Sequence, residues 1–125
     1  MKHIKKIVIL SLLISLLIPY VAYGYNEGML SAGGNGRTKD IWMYCTGEYD
    51  EDGEPVFLYN QWKQVWDYWY YFGDDGKSIQ NAWKEIDGKW YYFDQWSIML
   101  HDTTTPDGYY VGSDGAWVQE ETAAQ

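Results

Sequence analysis

The stretch Trp83-Lys84-Glu85-Ile86-Asp87-Gly88-Lys89-Trp90-Tyr91-Tyr92-Phe93-Asp94 decides the reading of this chain, because most of it occurs twice. A shift of 21 residues toward the N-terminus sets Trp83 on Trp62, Lys84 on Lys63, and Trp90-Tyr91-Tyr92-Phe93 on Trp69-Tyr70-Tyr71-Phe72. A unit of about 20 residues is too short to bury a core alone, so the spacing predicts a stacked array whose units cover one another. The density of aromatic rings in each unit points to binding.

Each unit reads as a β-hairpin. Asp87-Gly88 is a two-residue type I′ turn signal, since both central positions need positive φ. That turn sets Ile86 opposite Lys89, Glu85 opposite Trp90, Lys84 opposite Tyr91 and Trp83 opposite Tyr92. Side chains alternate along a strand. Trp83, Glu85, Trp90 and Tyr92 therefore share one face, and Ala82, Ile86, Tyr91 and Phe93 share the other. An isolated hairpin of this size is marginal in water, so stacking has to hold it.

Working outward, a longer first unit runs through Trp42-Met43-Tyr44-Cys45, the turn Asp50–Gly53 and Pro55–Tyr59. A degenerate last unit contains Tyr109-Tyr110-Val111, Gly112–Gly115 and Ala116-Trp117-Val118. Residues 25–40, with Gly28, Gly33, Gly34 and Gly36, read as a flexible leader. Residues 119–125 form a tail. Before them, Lys2, Lys5 and Lys6 precede an apolar run from Ile7 to Ile18, then Pro19 and Ala22-Tyr23-Gly24. That pattern predicts a signal peptide over residues 1–24, cleaved after Gly24, and an exported product. The run is short for a membrane span. No helical period follows it, and the expected class is all-β.

The full chain carries 9 Lys and Arg against 18 Asp and Glu. Residues 1–24 hold three Lys and no acid, so the remainder has net charge −12. This argues against nucleic acid, whose phosphates are bound through Lys and Arg. The charge reads first as solubility; the alternative reading is a field that favours a cationic ligand. Cys45 is the single cysteine and cannot form an intramolecular disulfide. In register it matches Phe72 and Phe93, which predicts a buried apolar role.

The aromatics divide by what a thin array can hide. Tyr70, Phe72, Tyr91 and Phe93 are expected in the core. Trp62, Trp69, Trp83 and Trp90 exceed the interior available, and Trp is rarely buried completely. A recurring face of Trp, Trp and Tyr suits a cage for a quaternary ammonium group. The same rings could stack on sugar faces, and their spacing does not separate the two.

Asn81-Ala82-Trp83 through Met99, and Gln61-Trp62 through Gly76, follow the pattern Gly-Trp, turn, Trp-Tyr-Tyr-Phe, Asp-x-x-Gly-x-Met. The chain thus resembles the choline-binding or glucan-binding repeats of Gram-positive surface proteins over about residues 41–118. Asp102–Gly108 followed by Gly112–Trp117 is similar to the terminal segment of clostridial members. The resemblance implies a short β-solenoid of three to four stacked hairpins, with ligand sites between successive units. One site would use Trp62 and Trp69 with Tyr92, and a second Trp83 and Trp90 with Tyr110. Met99, at the family's methionine position, would line a site or pack. The ligand implied is choline of a wall teichoic acid, or a glucan.

Five departures bear on this. Trp66-Asp67 replaces the Asp-Gly turn, Ser97 the loop glycine, and Ser78 the earlier unit's methionine, while Gly108 falls where a further Trp would stand. Trp96 also stands at a usually polar position. These departures weigh against the first site, deny the last unit a full pair of indoles and exclude a long ligand array.

Catalysis finds little support. His101 is the one histidine after residue 24, and no nucleophile elbow or phosphate loop is present. Asp50, Asp52 and Glu54 lack the twelve-residue calcium frame and read as turn residues. The expected protein is a non-catalytic wall-binding module without cofactor or metal. The alternatives are a structural surface protein whose rings are all core, or a piece of a wall hydrolase.

Overall fold

The computed structural model describes residues 26–32 and 41–120. The expected signal peptide lies outside them, as do residues 33–40 and 121–125. Contacts divide the described residues into two compact units, 26–28 with 45–56, and 29–32 and 41–44 with 57–120.

Among the described residues there are strands and no helix. β1 (Gly28–Ser31), β2 (Trp42–Tyr49) and β3 (Pro55–Phe57) form a sheet in that order. Three hairpins follow: β4 (Gln61–Val65) with β5 (Tyr68–Phe72), β6 (Ala82–Ile86) with β7 (Lys89–Phe93), and β8 (Thr103–Thr104) with β9 (Tyr110–Val111). Four residues expected in the flexible leader thus form β1. Met29 explains why, since its side chain packs against the Tyr44–Tyr70–Phe72 cluster instead of solvent.

In the smaller unit, the Thr46 hydroxyl donates to the Val56 carbonyl at 3.2 Å. The Asp50 carboxylate accepts the backbone N–H groups of Asp52 and Glu54, both at 2.9 Å. The Asp50 side chain therefore shapes a turn.

In the larger unit, the β6–β7 register is the one the turn predicts, from Ala82 opposite Phe93 to Ile86 opposite Lys89. Asp87 and Gly88 stand at φ 51° and 80°. The β4–β5 hairpin keeps a two-residue loop although Trp66-Asp67 replaces Asp-Gly, with Val65 opposite Tyr68. Trp66 takes φ 54° there, and its indole is 87% exposed.

Stacking uses a repeated backbone rung. The N–H of Ser78 donates to the Trp42 carbonyl at 2.7 Å, Met99 to Trp69 at 2.9 Å, and Trp117 to Trp90 at 2.8 Å. Within each unit, Ile79 donates to Tyr71, Leu100 to Tyr92 and Val118 to Tyr110, all at 3.0 Å. The loops between these points turn through left-handed residues Gly76, Ser97 and Gly115 at φ 75°, 64° and 81°. Equivalent repeat positions hold Cys45, Phe72, Phe93 and Val111, each 0% exposed. The buried role expected of Cys45 is what the structure has. Tyr71, Ile86, Phe93 and Met99 form one core cluster, and Tyr44, Tyr70 and Phe72 another. The interior is this narrow, and the remaining indoles stand at its edge.

Candidate functional site: two aromatic hollows between hairpins

Alternation along the strands decides which rings meet. On β7, Tyr91 and Phe93 point away from the face shared by Trp83 and Trp90, and turn back onto the preceding hairpin. The Trp62 ring lies 4.8 Å from Tyr91 and 5.7 Å from Phe93, centroid to centroid. Trp83 faces forward, 6.0 Å from Tyr109 and 6.5 Å from Trp117. Each hairpin thus gives indoles to the hollow ahead and a phenol to the hollow behind.

The first hollow, of about 320 Å³, is lined by Trp62, Trp69, Tyr91, Met99 and Asp114. The second, of about 290 Å³, is lined by Trp83, Trp90, Asp107, Tyr109 and Trp117. Both lie near the lower end of small-molecule pocket sizes. They match position for position: Trp62 with Trp83, Trp69 with Trp90, Tyr91 with Tyr109, and Met99 with Trp117. Each pairs a half-buried indole with an exposed one, Trp69 at 40% and Trp90 at 41%.

The phenols differ from the expected ones by one residue. Tyr92 belongs to the forward face and meets Trp83 of its own hairpin at 5.3 Å, so Tyr91 is the ring against Trp62. Tyr110 pairs with Thr104 in β8–β9 and is 48% exposed, while Tyr109 faces Trp83. The reason is the period of two. A ring that closes the hollow behind cannot share a face with indoles that open the hollow ahead. Tyr91, expected in the core, both packs against the core cluster and lines the first hollow. Met99 lines the same hollow. Trp117, Asp107 and Asp114 were not anticipated. The signal for Trp117 is present in the sequence: the 18-residue offset between Tyr91 and Tyr109 also relates Met99 to Trp117.

The two carboxylates are held differently. Asp107 sits in a Pro106-Asp107-Gly108 turn closed by the Gly108 N–H on the Thr105 carbonyl at 2.9 Å. The Thr105 hydroxyl donates to Asp107 Oδ1, and the Trp83 indole Nε1–H to Oδ2 at 2.8 Å. The Thr105 bond first, and the Trp83 bond second, hold this carboxyl below its ordinary pKa. Thr105, itself 3% exposed, also accepts the Tyr109 N–H at 3.2 Å, tying turn and ring together. Asp114 accepts the Ala116 N–H at 2.9 Å through Oδ1, and Lys89 Nζ stands 3.6 Å from Oδ2. Among the described residues, no group of three His, Cys, Asp or Glu is placed to hold a metal. Walls of ring faces with one carboxylate can hold a small cationic or apolar group, or a sugar face.

Comparison with known proteins bears on this geometry. Residues 78–117 match a family model described as a choline-binding repeat, and residues 60–78 one described as a putative cell wall binding repeat. The choline binding domain of Spr1274 from Streptococcus pneumoniae is similar at 30% identity and a TM-score of 0.55, over 77% of this chain and 99% of that one. The chain belongs to the choline-binding repeat family. Choline-binding repeats are binding modules of cell-wall-associated proteins in Gram-positive bacteria, and their stacked hairpins form a solenoid, as here. Choline binding protein F of S. pneumoniae, crystallised in the presence of a peptidoglycan analogue, is 30% identical with a TM-score of 0.53, over 75% of this chain and 27% of its own. The modular Cpl-1 endolysin, complexed with a peptidoglycan analogue, shares the fold at 22% identity and a TM-score of 0.52, over 76% of this chain and 26% of its own. This chain therefore spans about a quarter of each of those two proteins. No curated protein matches the sequence.

Proposed function

We propose that the protein is a secreted, non-catalytic module that attaches non-covalently to a cell-wall polymer by holding choline-type headgroups in its two hollows. The observation that carries this is their like construction. Each opens between successive hairpins and is walled by an indole pair, a phenol and a fourth apolar side chain, Met99 or Trp117. Rings facing one another across a small space suit a trimethylammonium group, which gains roughly 0.5–2 kcal/mol per ring face. Millimolar affinity needs only about 4 kcal/mol in total, within reach of such rings. The chain's acidity favours a cationic ligand.

Calorimetric titration of the chain with choline, and separately with glucan oligosaccharides, tests the reading. Saturable heat with choline is expected. No heat with choline at tens of millimolar, together with saturable binding of a glucan oligomer, would replace choline by wall carbohydrate. Export is tested by mass spectrometry, which should find Tyr25 near the N-terminus of material recovered outside the cell. Intact Met1 on membrane-bound material would contradict it.

A further inference from the structure

The two hollows share their rings but not their charge. Asp107 and Asp114 each line one. Lys89 stands 3.6 Å from Asp114, so the first hollow's carboxylate faces a compensating cation. Among the described residues Asp107 has no such partner; its neighbours are the Thr105 hydroxyl and the Trp83 indole N–H. Both are neutral donors, which fix the carboxylate in place and leave its charge standing beside the ring faces.

Building on the reading above, we propose that Asp107 is the residue that makes the second hollow selective for cations, and that the Lys89–Asp114 pair keeps the first hollow electrostatically neutral. The chain then holds two unequal sites. The second takes a quaternary ammonium group by charge as well as ring contact, and the first accepts it through rings and Met99 alone. Asp107 also positions a wall of its own hollow, because its Oδ2 is the acceptor that holds the Trp83 indole. Charge and orientation are separable, since an amide oxygen can accept the same N–H without a negative charge.

The size of the effect follows from exposure. A carboxylate open to water near a bound cation contributes what exposed ion pairs do, up to roughly five-fold in affinity. It weakens with salt over the Debye length.

The test titrates the intact chain, and the variants Asp107→Asn and Lys89→Gln, with choline and with its neutral isostere 3,3-dimethylbutan-1-ol, at low and high salt. Saturable choline binding by the unmodified chain tests the underlying reading by itself, and its absence sinks both ideas. Given that binding, Asp107→Asn should weaken choline in one of two sites by about two- to five-fold at low salt. It should leave the isostere unchanged and flatten the salt dependence. Lys89→Gln, a surface change at a residue 61% exposed, should strengthen choline at the other site by a similar factor. Equal loss of choline and isostere in Asp107→Asn would reduce Asp107 to a positioning residue and overturn the charge assignment. Unchanged choline affinity in both variants would overturn the proposal outright.

Discussion

Ser78 and Ser97 face each other in the interior with their hydroxyl oxygens 2.8 Å apart. They are two of the positions where the sequence departs from the repeat pattern, and the structure joins them. In the next unit the equivalent pair is Met99 and Gly115, where a Cβ built on Gly115 would intrude on the Met99 thioether. A serine at the loop position needs the space that a methionine would fill. Serine at 78 provides it, and also accepts the Trp42 N–H at 3.0 Å. The two departures are one exchange.

That coupling is measurable. Ser78→Met should destabilise the fold by about 1–3 kcal/mol through overpacking against Ser97. Adding Ser97→Gly should recover part of that loss, although Ser97→Gly alone removes a buried hydrogen bond of about 0.5–1.5 kcal/mol. A double-mutant cycle by urea denaturation checks it. Additive losses would show that the two serines are independent.

Gly115→Ala is expected to act at the first hollow. The added Cβ displaces Met99 and holds a non-glycine residue at φ 81°, costing about 1–3 kcal/mol. Calorimetry should show choline weakened at one site while the other is retained. Loss at both sites would indicate general unfolding.

Rings of the hollow and rings of the core should separate on truncation. Trp90 is 41% exposed and lines the second hollow, whereas Phe93 is 0% exposed. Trp90→Ala should remove most binding at the second hollow with little change in the unfolding midpoint. Phe93→Ala should cost about 3–5 kcal/mol of stability. Normal binding by Trp90→Ala would dismiss the hollow as a site.

Alkaline pH should loosen the fold. Burial, then the charge of Asp94, raises the Tyr70 phenol above its ordinary pKa of 10.0, and burial, then Asp87, does the same for Tyr71. The folded chain retains these protons more tightly than the unfolded chain, so this stability is complete below pH 10 and is lost as pH rises through the folded values. Denaturation midpoints taken from pH 8 to 12 should stay level and then fall. A rise above pH 10 would contradict the burial of these phenols.

The hairpins were readable in the sequence because their determinants are local. Asp87-Gly88 fixes its own turn and with it the register from Ala82 to Phe93. Trp62, Trp69, Trp83 and Trp90 could be placed at the hollows because each hairpin sets its own pair. What crosses between hairpins was harder. Tyr92 and Tyr110 were expected where Tyr91 and Tyr109 stand, since facing across a stack depends on which side of the pleat turns backward. Asp107 and Trp117 lie in the shortened last unit, where the 21-residue spacing has changed to 18. β1 escaped notice because Met29 finds its apolar partners far along the chain.

The rungs give the array a mechanical character. Each hairpin is fastened to the one before it by a backbone bond to the carbonyl of Trp42, Trp69 or Trp90, with rings stacked beside it. Tension applied along such a chain loads those fasteners in succession, so the units should peel singly and in order. A headgroup held between Trp83 and Tyr109, as proposed, would span a joint of this kind, and pulling the two hairpins apart would have to release it. Attachment would then stiffen the module at the seam where it would otherwise yield first.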